Sequence, residues 1–237
     1  MSWLLVTISV YFLLAIVALV DKYLISGPIP SPRVYTFYVG GLGILALFLI
    51  PLVEFLVPDL LNVVLSLISG PIYIFALLGL IGALQLFEAS RVVPAIGGIL
   101  PLFTFGLVFL FSGREEIFSF WKILAFILLI SGSVLITFER EKIVTLKSLQ
   151  IATLTAFLFS LAFVLSKFVY LAQPFWSGFI WMRIGGFIAA IFLFFSKEVK
   201  EELFKSRISF KPKTASIFLA NQAMGGGAFI LQNWAIA

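Results

Sequence analysis

The sequence predicts an all-α polytopic membrane protein made of inverted five-helix repeats, with eight of an expected ten transmembrane helices present. Composition is the first observation behind this fold class: 62% of the 237 residues are hydrophobic, 11% are charged, and the mean hydropathy is +1.18. Soluble domains carry about a quarter charged residues, and a core of this size could not enclose so much apolar surface. The other two observations are a self-match of the chain at a shift of 145 residues and a concentration of basic residues in alternate links.

Eight stretches have the length and apolarity of membrane-spanning helices, which need about 20 predominantly apolar residues. They are 3–25, 34–52, 70–88, 92–112, 119–138, 149–171, 175–195 and 214–237. The first has no basic leader or small-residue cleavage site and is too long for the apolar core of a signal peptide, so we interpret it as a retained span.

Prolines support these boundaries because a helix tends to stop near them. Eight prolines are predicted to lie in links, whereas Pro94 and Pro101 fall inside or at the mouth of the fourth span. The link prolines are Pro28, Pro30, Pro32, Pro51, Pro58, Pro71, Pro174 and Pro212. The one large polar segment, 196–213, is either a solvated linker or a short amphipathic helix on the membrane surface.

Basic residues indicate the orientation in the membrane. Of the 16 lysines and arginines, 12 lie in or next to the odd-numbered links, and the even-numbered links hold only Arg114 and Lys122. The positive-inside rule therefore predicts odd links in the cytoplasm and the amino terminus outside, in a plasma or inner membrane. We attribute the net charge of +5 to these cytoplasmic links, and we predict no nucleic-acid partner.

An internal repeat divides the chain into 1–145 and an incomplete copy at 146–237. The gapless shift of 145 residues superposes Leu13 on Leu158, Lys22 on Lys167, Gly40-Gly41 on Gly185-Gly186, and Gly82-Ala83 on Gly227-Ala228. The equivalent links 52–69 and 196–213 carry no basic residue and six, respectively, which places them on opposite membrane sides. Repeats of opposite orientation are common in transporters.

The second copy lacks the counterpart of about 93–145. The repeat arithmetic therefore predicts a full length of about 290 residues with ten spans, of which this chain would be a truncated part. A natural eight-span protein is the alternative.

Several short motifs of the first repeat resemble those of a known family. They are Phe87–Ala95, Leu100–Phe103, Gly113–Ile117 and Ser131–Val134, and the pattern is similar to the EamA-type repeat of the drug/metabolite transporter superfamily. The resemblance implies a five-plus-five helix arrangement and transport of small metabolites, such as amino acids, organic anions or drug-like solutes, through a cavity between the halves. The second repeat lacks the matching proline-bearing span and glycine-glutamate turn.

An integral membrane transporter working by alternating access is therefore the predicted function, with the bilayer and a small-molecule substrate as partners. A homo-oligomer is compatible with the sequence. The alternative is a non-transporting subunit or sensor on the same scaffold.

An intramembrane enzyme is disfavoured because the chain has few residues that could form a catalytic site. The chain has no cysteine or histidine, which removes disulfides, Cys/His metal sites and Ser-His-Asp constellations. No two acidic residues share a span interior, and the adjacent Ser166 and Lys167 point to different sides of a helix. No enzyme activity, metal or cofactor is predicted.

Arg183 is the leading candidate for a substrate-binding residue. It lies eight residues into its span, about 12 Å along the axis, where a charge is costly in hydrocarbon. A guanidinium facing a wet cavity would pair with a carboxylate or phosphate on the cargo. The alternative is an internal partner or backbone carbonyls.

Other polar residues near the membrane interior are weaker candidates. Lys22 and Lys167 are repeat partners close to helix ends, which either extend to the interface or face the cavity. Glu88 either pairs locally with Arg91 or serves a proton or cation role. The amides of the third and eighth spans join helices or bind cargo, and the candidates among them are Gln85, Gln222 and Asn233.

Overall fold

The computed structural model describes residues 3–112, 146–204 and 211–236, together with short helical pieces at 123–125, 127–128 and 131–132. These residues form helices and contain no strand, and seven of the helices are long and apolar enough to cross a membrane. The prediction of an all-α polytopic membrane protein is confirmed. The predicted span 119–138 lies mostly outside the described residues.

The helices follow the predicted order. The first half contains α1 (Trp3–Ser26), α2 (Pro32–Leu42), a 3-10 helix that continues α2 (Gly43–Leu52), α3 (Leu60–Leu86) and α4 (Ala89–Ser112). The second half contains α5 (Leu146–Ala172), α6 (Phe175–Phe194), α7 (Lys197–Phe204) and α8 (Pro212–Ile236). The main difference from prediction is that α3 begins ten residues before the expected position 70.

The early start of α3 corrects one proline assignment. Pro71 was predicted to lie in a link, but it lies inside α3, and Pro51 lies inside the 3-10 helix rather than after a span. A proline within a helix has no N–H for the carbonyl four residues earlier, which for Pro71 is the carbonyl of Leu67. That carbonyl faces Gly185 on α6, so a close helix contact covers the interruption.

Glycines allow α3 and α6 to touch through their backbones. A Cβ added at Gly70 would overlap the carbonyl oxygen of Met182 and lie 2.5 Å from the nitrogen of Gly186. A Cβ at Gly185 would lie 2.5 Å from the carbonyl oxygen of Leu67. Such small-residue contacts are a common way to pack helices in lipid, where no hydrophobic effect drives them together.

Contacts between the two predicted repeats dominate the packing. α3 packs against α5 and α6, α1 packs against α8, and α2 packs against α6. The described part is therefore held together largely by helices from opposite halves of the chain.

Links at the two ends of α6 contact different parts of the first half. The backbone N–H of Leu56 donates to the hydroxyl of Ser177 at the start of α6, with an N···O distance of 2.8 Å. Beyond the other end of α6, Arg33 donates to Glu198 of α7 at 2.6 Å. The 20 residues of α6 extend about 30 Å, so these contacts lie at opposite ends of the bundle.

The short helix α7 shows that part of the polar segment 196–213 is helical. Val199 is fully buried, whereas Lys200 is exposed and lies over the ring of Phe195, 5.5 Å from its centre. The hydrogen bond from Arg33 holds the pKa of the Glu198 carboxyl below its usual range. α7 thus fastens the end of α6 to the start of α2.

Replacing Gly70 with alanine should destabilise the protein, because the added methyl group meets backbone rather than a movable side chain. We expect Gly70→Ala to lower the free energy of unfolding by at least about 1–3 kcal/mol, the usual cost of overpacking. The measurement is the midpoint of thermal unfolding in detergent. Gly82→Ala on the same helix is the control, since no described atom lies within 4 Å of its Cβ position. Equal midpoints for the two variants would contradict the proposed close contact.

Candidate functional site

Arg183 lies midway along α6 at a small cavity near the centre of the bundle. The cavity has a volume of about 20 Å³, enough for one water molecule, and the guanidinium lies over the ring of Phe229 on α8 at 5.4 Å from its centre. Polar groups of two other helices line it: Ser69 and Tyr73 on α3 and Ser166 on α5. Both predicted repeats therefore contribute to this Arg183 cavity.

The charge of Arg183 has no acidic partner in the part of the chain that the structure describes. Its carbon and nitrogen atoms instead lie 3.5 to 3.6 Å from the position a Cβ would take at Gly43, so this glycine leaves room for the guanidinium. A cation at this depth is stabilised by aromatic faces, by water or by an anion. Among the described residues, the guanidinium therefore meets an aromatic face and a water-sized cavity, and no carboxylate.

The hydroxyl groups beside Arg183 form few hydrogen bonds with one another. Ser166 donates to the carbonyl of Ala162 at 2.7 Å, and the hydroxyls of Ser69 and Ser166 lie 3.3 Å apart. Tyr73 packs against Phe229 with ring centres 4.6 Å apart. Neither Tyr73 nor Ser69 was predicted as a site residue, because an isolated hydroxyl in an apolar span carries no distinguishing pattern.

The two repeat-related lysines lie away from the cavity and bond helix ends. Lys22 donates to the carbonyls of Leu84 and Phe87, at 2.5 and 2.9 Å, where α3 ends. Lys167 donates to the carbonyl of Ile236 at 2.7 Å, where α8 ends. A cation suits this position because the last carbonyls of a helix lack partners and carry negative partial charge.

Gln85 and Glu88 also lie outside the cavity, near the link between α3 and α4. Gln85 is exposed and donates to the carbonyl of Pro30 at 2.5 Å. Glu88 is exposed as well and pairs with Arg91 at 3.9 Å, in the local i, i+3 arrangement considered from the sequence.

The two amides of α8 make different contacts. Asn233 is buried, accepts from the hydroxyl of Tyr170 at 2.9 Å and donates to the carbonyl of Phe229 at 2.8 Å, so it joins α8 to α5. Gln222 donates to the hydroxyl of Tyr35 at 3.1 Å. Of the seven predicted site residues, the structure places only Arg183 at the cavity, and Gln222 belongs to a second polar cluster.

This second cluster, the Asp21 cluster, consists of Asp21, Tyr35, Asn221 and Gln222. Tyr35 donates to a carboxyl oxygen of Asp21, and the amide nitrogen of Asn221 donates to the same oxygen at 2.6 Å. Asp21, Tyr35 and Asn221 are all at most 4% exposed. An acidic residue at the end of an apolar span was the available sequence signal, and Glu88 instead of Asp21 was predicted as a site residue.

Comparisons of the chain with protein-family models, with curated proteins and with solved structures return no match. The fold and the site by themselves define an all-α integral membrane protein with an arginine at a small cavity between its helices.

Removing the Lys22 amine should destabilise the protein, because this amine bonds the end of α3. We expect Lys22→Met to lower the free energy of unfolding by about 1–3 kcal/mol, since two carbonyls lose a charged donor. Thermal unfolding in detergent measures this change, and Lys200→Met serves as the exposed-lysine control. An unfolding midpoint equal to that of the control would argue against the capping role.

Proposed function

We propose that the protein is a transporter of small organic anions or zwitterionic amino acids, working by alternating access between two inverted repeats. The observation that carries this proposal is the Arg183 guanidinium, midway along a membrane-spanning helix and without an acidic partner among the described residues. A structural arginine would be expected to have its charge neutralised by the protein, because an uncompensated charge is costly there. A transient anion would instead supply the partner.

The position of the cavity supports transport. Its lining comes from α3 of the first half and from α5, α6 and α8 of the second, so relative motion of the halves would open or close it. Substrate sites of repeat-built transporters lie at such interfaces near the middle of the bilayer.

The helix contacts are compatible with inverted repeats. Under the 145-residue shift, the pair α3–α5 corresponds to the pair α8–α1, and both pairs are in contact. Lys22 on α1 bonds the end of α3, and its counterpart Lys167 on α5 bonds the end of α8. Glu54 and Lys200, in equivalent links, are placed near opposite ends of α6. The resemblance to EamA-type transporters agrees with this arrangement and stays part of the proposal.

Transport and the role of Arg183 can be tested in liposomes that contain the full-length protein. We expect uptake of at least one of labelled alanine, glutamate or malate. Arg183→Gln should reduce it roughly ten- to a hundredfold, because charge-assisted hydrogen bonds contribute about 1.5–3 kcal/mol. Lys213→Gln, which removes an exposed cation at the start of α8, is the control and should retain uptake. No uptake by the unmodified protein would contradict transport of these solutes, and equal uptake by Arg183→Gln would contradict the site.

The inverted arrangement can be tested separately, because the chain contains no cysteine. Single cysteines at Glu54→Cys and Lys200→Cys should react with a membrane-impermeant maleimide from opposite sides, with Lys200→Cys labelled from the cytoplasm. Labelling of both positions from one side would exclude inverted repeats.

A further inference from the structure

We propose that the Asp21 cluster is a proton-binding site whose occupancy holds α1 and α2 of the first half against α8 of the second. The inference deepens the proposed function, since it names the ion that would control one side of the pathway. It rests on the geometry of the cluster and can be tested without any transported solute.

The cluster joins three helices through one carboxyl group. Asp21 lies on α1, Tyr35 lies on α2, and Asn221 and Gln222 lie on α8. The hydroxyl of Tyr35 accepts a hydrogen bond from Gln222 at 3.1 Å and donates a hydrogen bond to Asp21. The ring of Tyr35 also packs edge-on against Phe218 of α8, with centres 5.2 Å apart. Asp21 is thus the end point of hydrogen bonds from both halves.

The carboxyl group is enclosed without a compensating cation. Asp21 is 4% exposed and forms no salt bridge within the described residues. The amide oxygen of Asn221, which is buried beside it, has no hydrogen-bond donor among those residues. A buried carboxylate without a cation is costly, whereas a neutral carboxyl is not, and it brings one additional donor into the cluster.

The other titratable groups around Asp21 are tyrosines or charged residues that bond elsewhere. Tyr35 faces it from α2, and Tyr73 of α3 lies within electrostatic range of both Asp21 and Arg183. α8 contributes amides to the cluster. Lys22 on α1 is bound to carbonyls at the end of α3, and Glu88, just before α4, pairs with Arg91 in the first turn of α4.

The cluster lies on the side of the bundle that carries α7. Asp21 is about 8 Å from the end of α1, and this end leads to Arg33, which bonds α7. Arg183 lies about 16 Å from the end of α6 that leads to α7, and is therefore deeper. The Asp21 cluster therefore lies nearer than Arg183 to the side predicted to be cytoplasmic.

Loss of the proton from Asp21 should open the side of the bundle that carries α7. The ionised carboxylate gains stability from water, and separation of α8 from α1 and α2 would admit water to it. Protonation restores a neutral, fully enclosed group. Closing of this side would therefore accompany proton binding, and opening would accompany proton release.

Infrared difference spectroscopy during a pH change tests proton binding by the solute-free protein in lipid nanodiscs. We expect a carboxylic-acid C=O band that disappears as the pH rises and is absent in Asp21→Asn. Asp59→Asn is the matched control, because Asp59 is the other aspartate and is exposed, so the band should remain. Tyr35→Phe removes a donor to the ionised form and should move the midpoint of proton loss to higher pH.

Distance measurements between spin labels test the opening. Cysteines at Tyr23→Cys on α1 and Leu219→Cys on α8 carry the labels, since both positions are exposed and flank the cluster. The label distance should lengthen from acidic to alkaline pH, and the added Asp21→Asn substitution should abolish that shift.

Several results would overturn the proposal: a C=O band that survives Asp21→Asn, an unchanged midpoint in Tyr35→Phe, or a label distance insensitive to pH. A distance that follows sodium concentration at constant pH would overturn it in favour of a metal cation. These outcomes are independent of liposome uptake, so failure of the proton site is distinguishable from failure of the transporter proposal.

Discussion

Polar groups inside this protein must find partners where the surrounding hydrocarbon offers none, and the helix arrangement depends on that constraint. Buried hydroxyls, amides and the carboxyl group of Asp21 find partners on other helices, and so join helices that are distant in the sequence. The Asp21 cluster links α1, α2 and α8, and Asn233 links α8 to α5. Arg183 differs because its charge meets an aromatic ring and a small cavity instead of an acid. The contrast separates groups that join helices from one whose charge has no acidic partner among the described residues.

Close backbone packing is the second contribution to the architecture. Gly70 on α3 and Gly185 on α6 remove the side chains at a helix crossing, so the carbonyl left without a partner by Pro71 is covered by a neighbouring helix. The same crossing places Ser69 and Tyr73 beside Arg183. Packing and the candidate site are therefore parts of one arrangement, in which a shift of α6 against α3 would also change the cavity.

The sequence identified Arg183 as a candidate site residue, but it did not show which residues surround Arg183 or which partners the other polar residues have. Arg183 could be singled out because a charge deep in an apolar span is costly whatever surrounds it. The roles of Lys22 and Lys167 could not, because a long flexible chain near a helix end reaches either a cavity or a neighbouring helix terminus. Asp21 was passed over since its burial is created by Tyr35 and Asn221, from helices that the one-dimensional pattern does not bring together.

Composition and periodic apolar length by themselves determined that this is a helical membrane protein, because a bilayer accepts few other structures and requires a minimum span. Most helix boundaries followed, although α3 extended past Pro71 because tertiary contact compensates the interrupted helix. Only the tertiary structure decided which polar residues meet. Hydrogen-bond partners such as Asp21 and Asn221, 200 positions apart, are selected by helix packing, and local sequence carries no record of that choice.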